Sequence, residues 1–247
     1  KIIIFNLRLP RIVMSILVGM MLSSSGVVVQ TVFQNPLADP YIIGIAASAT
    51  FGAVIAFVFN MPDYMYGVIA FFTCLSSTLL IFKMAKKGNK VNVATLLIVG
   101  IAVSSFLGAF TSFAMYLIGE DSFKITMWMM GYLGNATWKR VVFILIPLIF
   151  SVGYFYSKRN QLDALLSGDE EAHSLGVDVN RLKVKVLTVS ALIVAFSVAF
   201  SGMIGFVGLI IPHTIRMIVG PSNTKMLPST ILAGGFFLLI CDTFGRI

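Results

Sequence analysis

The sequence predicts an all-α fold, a polytopic bundle of membrane helices, and three observations carry that prediction. Of 247 residues, 58% are hydrophobic and only 11% are charged, against roughly 25% charged in soluble domains. So little polar surface cannot cover a soluble globule of this size. Residues 12–38, 64–82, 91–119 and 186–215 contain no Asp, Glu, Lys or Arg, and a bilayer span needs roughly 20 apolar residues. These runs do not alternate polar with apolar in segments of about 10 residues, which excludes an outer-membrane barrel.

The first span is expected over residues 12–32, with Gly19, Ser23 and Gly26 as small residues at helical spacing that admit a close neighbour. Asn35-Pro36-Leu37-Ala38-Asp39-Pro40 ends it, because two prolines forbid continued helix. Residues 41–59 and 64–82 are the second and third spans, the latter meeting the densest basic loop, with Lys83, Lys86, Lys87 and Lys90. The fourth covers 93–118 and is rich in Gly and Ser. Residues 119–140 hold both tryptophans, Trp128 and Trp138, but only fourteen consecutive uncharged residues. That is too short to span and fits a segment at the membrane–water interface. A fifth span follows over 141–157. The thirty uncharged residues after Lys185 are long for one helix and short for two, so two short spans with a turn near 201–205 are expected. A last span covers 227–244, making about eight membrane segments.

Net charge is +8, from 18 Lys and Arg against 10 Asp and Glu. No basic stripe with interleaved aromatics suggests nucleic acid, and inside-positive loops explain the excess. The loops 33–40, 83–90, 158–185 and 213–226 carry eleven Lys and Arg; the opposite set carries seven, Lys1, Arg8, Arg11, Lys124, Lys139, Arg140 and Arg246. The eleven-charge side is therefore expected to be cytoplasmic. Cys74 and Cys241 lie in apolar runs without partner spacing, so neither a disulfide framework nor a zinc site is indicated. No cofactor is implied. No signal peptide is legible, and a chain running from Lys1 to Ile247 just past an apolar run reads as a fragment.

The segment 158–185 is the one substantial polar stretch. Ser167-Gly168-Asp169-Glu170 has the pattern of a capping box. Asp169, Glu170 and Glu171 sit where a helix dipole favours negative charge, and Gly176 stops the helix after two turns. The pattern predicts a short helical knob, polar on one side with Ala172 and Leu175 on the other. It is either a solvated connector or a docking surface. At the opposite mouth, Arg8-Leu9-Pro10-Arg11 places two cations against the inside-positive trend. Snorkelling explains them; so does docking of an acidic external partner, since guanidinium pairs well with carboxylate. Gly202, Gly205 and Gly208 precede Pro212-His213 and have no Lys-Ser/Thr, so they suit close packing and a bent backbone rather than phosphate binding. His213 reads as a packing or hydrogen-bonded histidine. Asp242 is the one carboxylate in a late span, which Thr243 or a neighbouring helix could satisfy.

The ordered motifs resemble the membrane-spanning permease of the iron-chelate, haem and vitamin B12 ABC importers, the FecCD-type or type II importer family. The resemblance rests on Arg8-Leu9-Pro10-Arg11; Ser25-Gly26 with Gln30; residues 35–40; Trp128 with Met130-Gly131; Gly168-Asp169-Glu170-Glu171-Ala172 with Leu175-Gly176; the run from Gly205 to His213 with Arg216; and Asp242. It covers nearly the whole chain as a single permease domain.

It implies a ten-helix fold, whose first and tenth helices have no counterpart here, in a bacterial or archaeal cytoplasmic membrane. The implied partners are a second permease copy in a homodimer, two cytoplasmic ATP-binding cassette ATPases, an external substrate-binding protein and the lipid bilayer. Residues 168–181, within the segment 163–185, match the family's ATPase-coupling helices. Arg8, Arg11 and Arg246 match positions that meet the binding protein. The helix at 93–118, with Gly100 and Ser104, lines the pathway, and Asn35, Asn92, Val93 and Ala94 stand near its inner gate. ATP hydrolysis then belongs to the partner, not to this chain. A proton- or ion-coupled secondary carrier is the alternative, but it would show paired intramembrane carboxylates and inverted repeats. An intramembrane enzyme would need a catalytic cluster that His173 and His213 do not supply.

Overall fold

The computed structural model describes residues 3–87 and 90–246; Lys1, counted above among the outer cations, lies outside them. The helices are α1 (Leu9–Val32), α2 (Ile45–Val58), α3 (Asp63–Ala85), α4 (Val93–Ile118), α5 (Phe123–Met129), α6 (Trp138–Ser157), α7 (Arg159–Leu166), α8 (Asp169–Ser174), α9 (Val179–Ser201), α10 (Val207–Val219) and α11 (Asn223–Phe244). Between α3 and α4, Lys86–Lys87 (β1) and Lys90–Val91 (β2) pair antiparallel as a minimal ladder.

Among the described residues, six stretches are long and apolar enough to cross a membrane: Ile4–Val32, Asp63–Ala85, Val93–Met129, Trp138–Ser157, Val179–Ser201 and Asn223–Phe244. The other two apolar helices, α2 and α10, have 14 and 13 residues. At 1.5 Å per residue they measure about 20 Å, short of the roughly 30 Å hydrocarbon core.

Several boundaries differ from expectation for local reasons. Helical backbone begins well before residue 12: Ile4–Arg8 is a π-helical run, and the Leu9 N–H bonds to the Ile4 carbonyl five residues back. Pro10 offers no N–H and crowds the carbonyl four residues before it, and a widened turn relieves both. The second span starts late, because Pro40–Ile43 forms a 3-10 turn and Gly44 takes a left-handed φ of +81°. Beyond α4 the chain continues through a 3-10 turn, Gly119–Ser122, into α5, while Trp138 already opens α6. The break after α9 falls where two short spans were expected to meet, with Gly202 at φ +69°.

The chain divides into two compact units. One holds residues up to 40, 133–193 and from 205 onward; the other holds 41–132 and 194–204. In the first unit α1 is the centre, and its small residues bring backbones together. A Cβ at Gly19 would overlap the Gly234 carbonyl of α11, and one at Gly26 would overlap the Gly208 carbonyl of α10. Ser25 and Ser190 link α1 to α9 through a hydroxyl–hydroxyl bond of 2.5 Å. Gln30 Nε2 donates to the Leu209 carbonyl at 3.1 Å. Here close approach replaces the hydrophobic effect, which does not drive helices together in lipid.

The second unit uses the same device. Gly52 of α2 fits against Ala70 of α3, and Gly67 fits under the Ala199 carbonyl at the end of α9. Thr73 Oγ1 donates to the Ser48 carbonyl at 2.8 Å, and Phe71 stacks on Phe196 with centroids 4.7 Å apart. Gly202 meets the Trp128 carbonyl and the Gly131 backbone, and Tyr132 N–H donates to the Ser201 carbonyl at 2.7 Å. The glycines at 202 and 208 thus have the packing roles expected of them, whereas a Cβ at Gly205 meets nothing within 4 Å.

Gly19→Val is expected to separate α1 from α11 and lower stability by about 3 kcal/mol or more, because backbone rather than a movable side chain blocks the new methyl groups. Gly153→Ala, where the Cβ meets open space, should hold or gain up to about 1 kcal/mol from helix propensity. Thermal unfolding of the two variants in detergent, followed by size-exclusion chromatography, distinguishes them.

Candidate coupling arm and outer cation cluster

The polar segment folds as a braced arm. α6 ends at Lys158, whose non-helical backbone (φ −98°, ψ 3°) is also the N-cap of α7. α7 buries Leu162 and Leu165, and α8 buries Ala172 completely. The expected capping box does not form. Gly168, not Ser167, occupies the N-cap of α8 at φ +125°, with no side-chain cap bond. An L side chain rarely adopts that backbone, and a Cβ there would strike the Glu171 carboxylate.

Gly176 closes the helix at φ +82°. Its N–H donates to the His173 carbonyl at 2.9 Å, and Val177 N–H donates to the Ala172 carbonyl at 3.0 Å. That pair of bonds is a Schellman cap. Leu175 is corrected: it does not share the buried side with Ala172 but is 72% exposed. It falls one residue past the helix, where the chain turns outward, and sits among the exposed Glu170, Glu171 and Ser174.

Four contacts hold this arm, and three of them were not legible in the sequence. Asp163 on α7 caps α11: Oδ1 accepts from Asn223 N–H at 2.6 Å and Asn223 Nδ2 at 2.8 Å, while Oδ2 accepts from Ser222 Oγ at 3.1 Å. Gln34, just past α1, donates from Nε2 to the Leu165 carbonyl at 2.8 Å. Lys183 of α9 is almost fully buried, and its ammonium donates to the half-exposed Asp169 at 2.7 Å. Asp178 caps α9 by accepting from Arg181 N–H at 3.1 Å. Only the last has a local signature, an Asp three residues before the N–H it caps. The others join residues far apart in the chain or across a turn.

At the other end of α1, Asp242 lies between two guanidiniums. Arg11 Nη2 donates to Oδ1 at 2.7 Å, and Arg11 Nε lies 3.1 Å from both carboxylate oxygens. Arg246 Nη2 donates to Oδ2 at 2.6 Å, and its Nε donates to the Asp242 carbonyl at 3.0 Å. The Asp242 side chain is only 7% exposed. The neighbour that satisfies it is therefore a pair of cations; Thr243 instead donates to the Leu239 carbonyl. Arg8 is exposed and has no ion pair among the described residues. Arg11 and Gln34 are separated by 23 residues of nearly continuous helix, about 34 Å. The cation cluster and the arm thus lie at opposite ends of α1, farther apart than the roughly 30 Å hydrocarbon core.

The remaining singled-out residues have local roles. Asn35 accepts from Leu37 N–H at 2.9 Å within an exposed turn. Asn92 caps α4, accepting from Ala94 N–H at 2.8 Å and Thr95 N–H at 3.2 Å, with Val93 as first helical residue. Gly100 is buried, a Cβ there standing 3.2 Å from the Ile42 carbonyl, and Ser104 Oγ donates to the Gly100 carbonyl at 2.7 Å. Gly100 thus packs α4 against the 3-10 turn that precedes α2. His213 differs from a hydrogen-bonded core histidine: its Nδ1 is buried without a partner among the described residues. No group of three or more His, Cys, Asp or Glu that could hold a metal occurs among them.

A bundle of apolar helices long enough to cross a bilayer, with a braced polar arm at one end of α1 and a cation cluster at the other, defines a helical membrane protein. Comparison with known proteins agrees: the profile of the FecCD transport family matches residues 1–247, and the chain belongs to that family, the permeases of ABC importers. It is 39% identical over 249 residues to the cobalamin import system permease protein BtuC of Halobacterium salinarum, covering 100% of this chain and 67% of that protein. It is 37% identical over 248 residues to the hemin transport system permease protein HmuU of Yersinia pestis, covering 98% of this chain and 74% of that protein. Among solved structures, a metal-chelate type ABC transporter in an inward-facing conformation superposes with a TM-score of 0.92 at 35% identity. That match covers 99% of this chain and 79% of the other. The protein is a multi-pass membrane permease, a transport subunit rather than an enzyme.

Asp163→Ala removes three hydrogen bonds at the start of α11 and is expected to destabilise the fold by about 1–3 kcal/mol. Asp163→Asn, which keeps one acceptor, should retain most of that stability. Unfolding midpoints in detergent compare the two.

Proposed function

We propose that this permease conducts a metal chelate, an iron siderophore, haem or cobalamin, from an external binding protein to the cytosol, with segment 163–185 facing the cytosol as the seat of an ATPase. The observation that carries this reading is the arm itself. It exposes Glu170 and Glu171 on a six-residue helix and Leu175 at its C-cap, while Ala172 is buried and the base is tied to α1, α9 and α11. A surface that must transmit force needs a rigid mount and an exposed, chemically distinct tip. A permease without a nucleotide site can follow an ATPase cycle only by differential binding of the motor's states to such a surface. Eleven Lys and Arg in the loops on the arm's side support placing it in the cytosol.

The rest of the assembly extends the same reading. α2 and α10 complete eight membrane segments as short helices. A second copy pairs with this one around a pathway to which α4 contributes, with Asn92, Val93 and Ala94 at its inner end. Asn35 keeps its gate assignment from the family resemblance. At the outer end, Arg8, Arg11 and Arg246 meet carboxylates of the binding protein. The metal within the chelate is cargo, not a cofactor. A proton-coupled carrier is disfavoured because Asp242, the carboxylate it would use, is already paired with two guanidiniums.

Glu170→Lys combined with Glu171→Lys is expected to abolish chelate uptake and weaken ATPase binding at least tenfold, leaving the permease folded because both side chains are exposed. Uptake into proteoliposomes and co-purification of the ATPase measure this; wild-type values for both would refute the arm's role. Impermeant labelling of a cysteine at position 170 in intact cells should fail, and should succeed after permeabilisation.

A further inference from the structure

We propose that Asp242 is a positioning residue that converts two flexible arginines into a preorganised receptor for a partner's carboxylate. The proposal rests on the docking reading of the outer cations given above. Arg11 sits on α1 and Arg246 in the turn just past α11, 235 positions apart in the chain, and each would otherwise wave a long side chain over the membrane surface. The single Asp242 carboxylate holds both: Arg11 by its Nε and Nη2 edge, and Arg246 by Nη2, with its Nε on the Asp242 carbonyl. Asp242 is nearly buried, whereas the Arg11 and Arg246 side chains remain 22% and 33% exposed. The carboxylate thus lies beneath the guanidiniums.

A guanidinium has five N–H donors. Arg246 commits two of its nitrogens, Nε and Nη2, to Asp242, and its Nη1 has no hydrogen bond among the described residues. The cluster carries two positive charges against one negative, with exposed Arg8 one turn away on the chain. Its surplus charge and fork geometry select a carboxylate-bearing protein surface. Ordering these side chains before contact removes the entropy cost that each would otherwise contribute on binding.

The sign of one substitution separates positioning from charge. Asp242→Asn makes the cluster more positive, so a purely Coulombic role predicts tighter binding of an acidic partner and faster association. A positioning role predicts about tenfold weaker binding through faster dissociation, despite the added positive charge. The test measures association and dissociation of the cognate substrate-binding protein on nanodisc-reconstituted permease–ATPase complex, at low and high salt. Arg8→Glu serves as the docking control, and thermal midpoints are measured for every variant.

Weaker binding of Asp242→Asn with a raised dissociation rate, and partial recovery in Asp242→Glu, support the proposal. Unchanged or tighter binding of Asp242→Asn, with Arg8→Glu weakened, overturns positioning and leaves docking intact. Wild-type binding by both Arg8→Glu and Asp242→Asn overturns the docking reading and this proposal together. If Asp242→Asn does not fold, Asp242→Glu alone decides, because its displaced carboxylate must alter the dissociation rate if positioning matters.

Discussion

Backbone-to-backbone approach at the centre of the first unit is the constraint on which the rest depends. In lipid, burying Leu against Leu gains little, so helices associate through tight packing and satisfied polar groups. α1 meets α11 at Gly19 and Gly234, and α10 at Gly26 and Gly208, with no room for a Cβ at any of them. The Ser25–Ser190 bond adds α9 to the same centre. Because these contacts are between main chains, the relative positions of the helices are set closely, and what is attached to their ends inherits that placement.

Both ends of α1 and α11 use that rigidity. At one end Asp163 grips the start of α11 and Gln34 grips α7, so the arm is fastened to the same helix pair. At the other end Asp242 locks α11 to α1 through Arg11. A displaced arm therefore pulls on the same two helices that Arg11 and Asp242 join at their other ends. A soft loop at either place would absorb the displacement instead. Gly168 and Gly176 serve the same end locally, allowing two sharp turns that confine α8 to six residues and aim its acidic face outward.

Much of the arm was readable from residues 158–185. Glycine stops, an acidic first turn and an apolar Ala172 are local signals, and local chemistry delivers them. What failed was equally local in appearance: Ser167 and Glu170 have capping-box spacing, yet Gly168 takes the cap because its φ is available only to glycine. Leu175 was placed on the wrong side because periodicity was carried one residue past the point where the helix turns outward. Gly100 and Ser104 were assigned to the pathway by the family resemblance; in the fold Gly100 packs against the turn before α2, and Ser104 Oγ donates to its carbonyl. Small residues in a membrane helix do not announce whether they face a cavity or a neighbour.

Hydropathy and charge pattern by themselves determined that the chain is a helical membrane protein, roughly where it crosses, and which segment is polar. These follow from transfer free energies summed over twenty or so residues, and neighbours do not alter them. Motif order added the family. Tertiary structure alone decided the partners of isolated polar residues: that Asp242 meets Arg11, that Lys183 lies buried under Asp169, and that Asp163 caps a helix sixty residues downstream. Each such pairing depends on which helices become neighbours, a choice made by small-residue packing along whole helix faces and invisible to any local window.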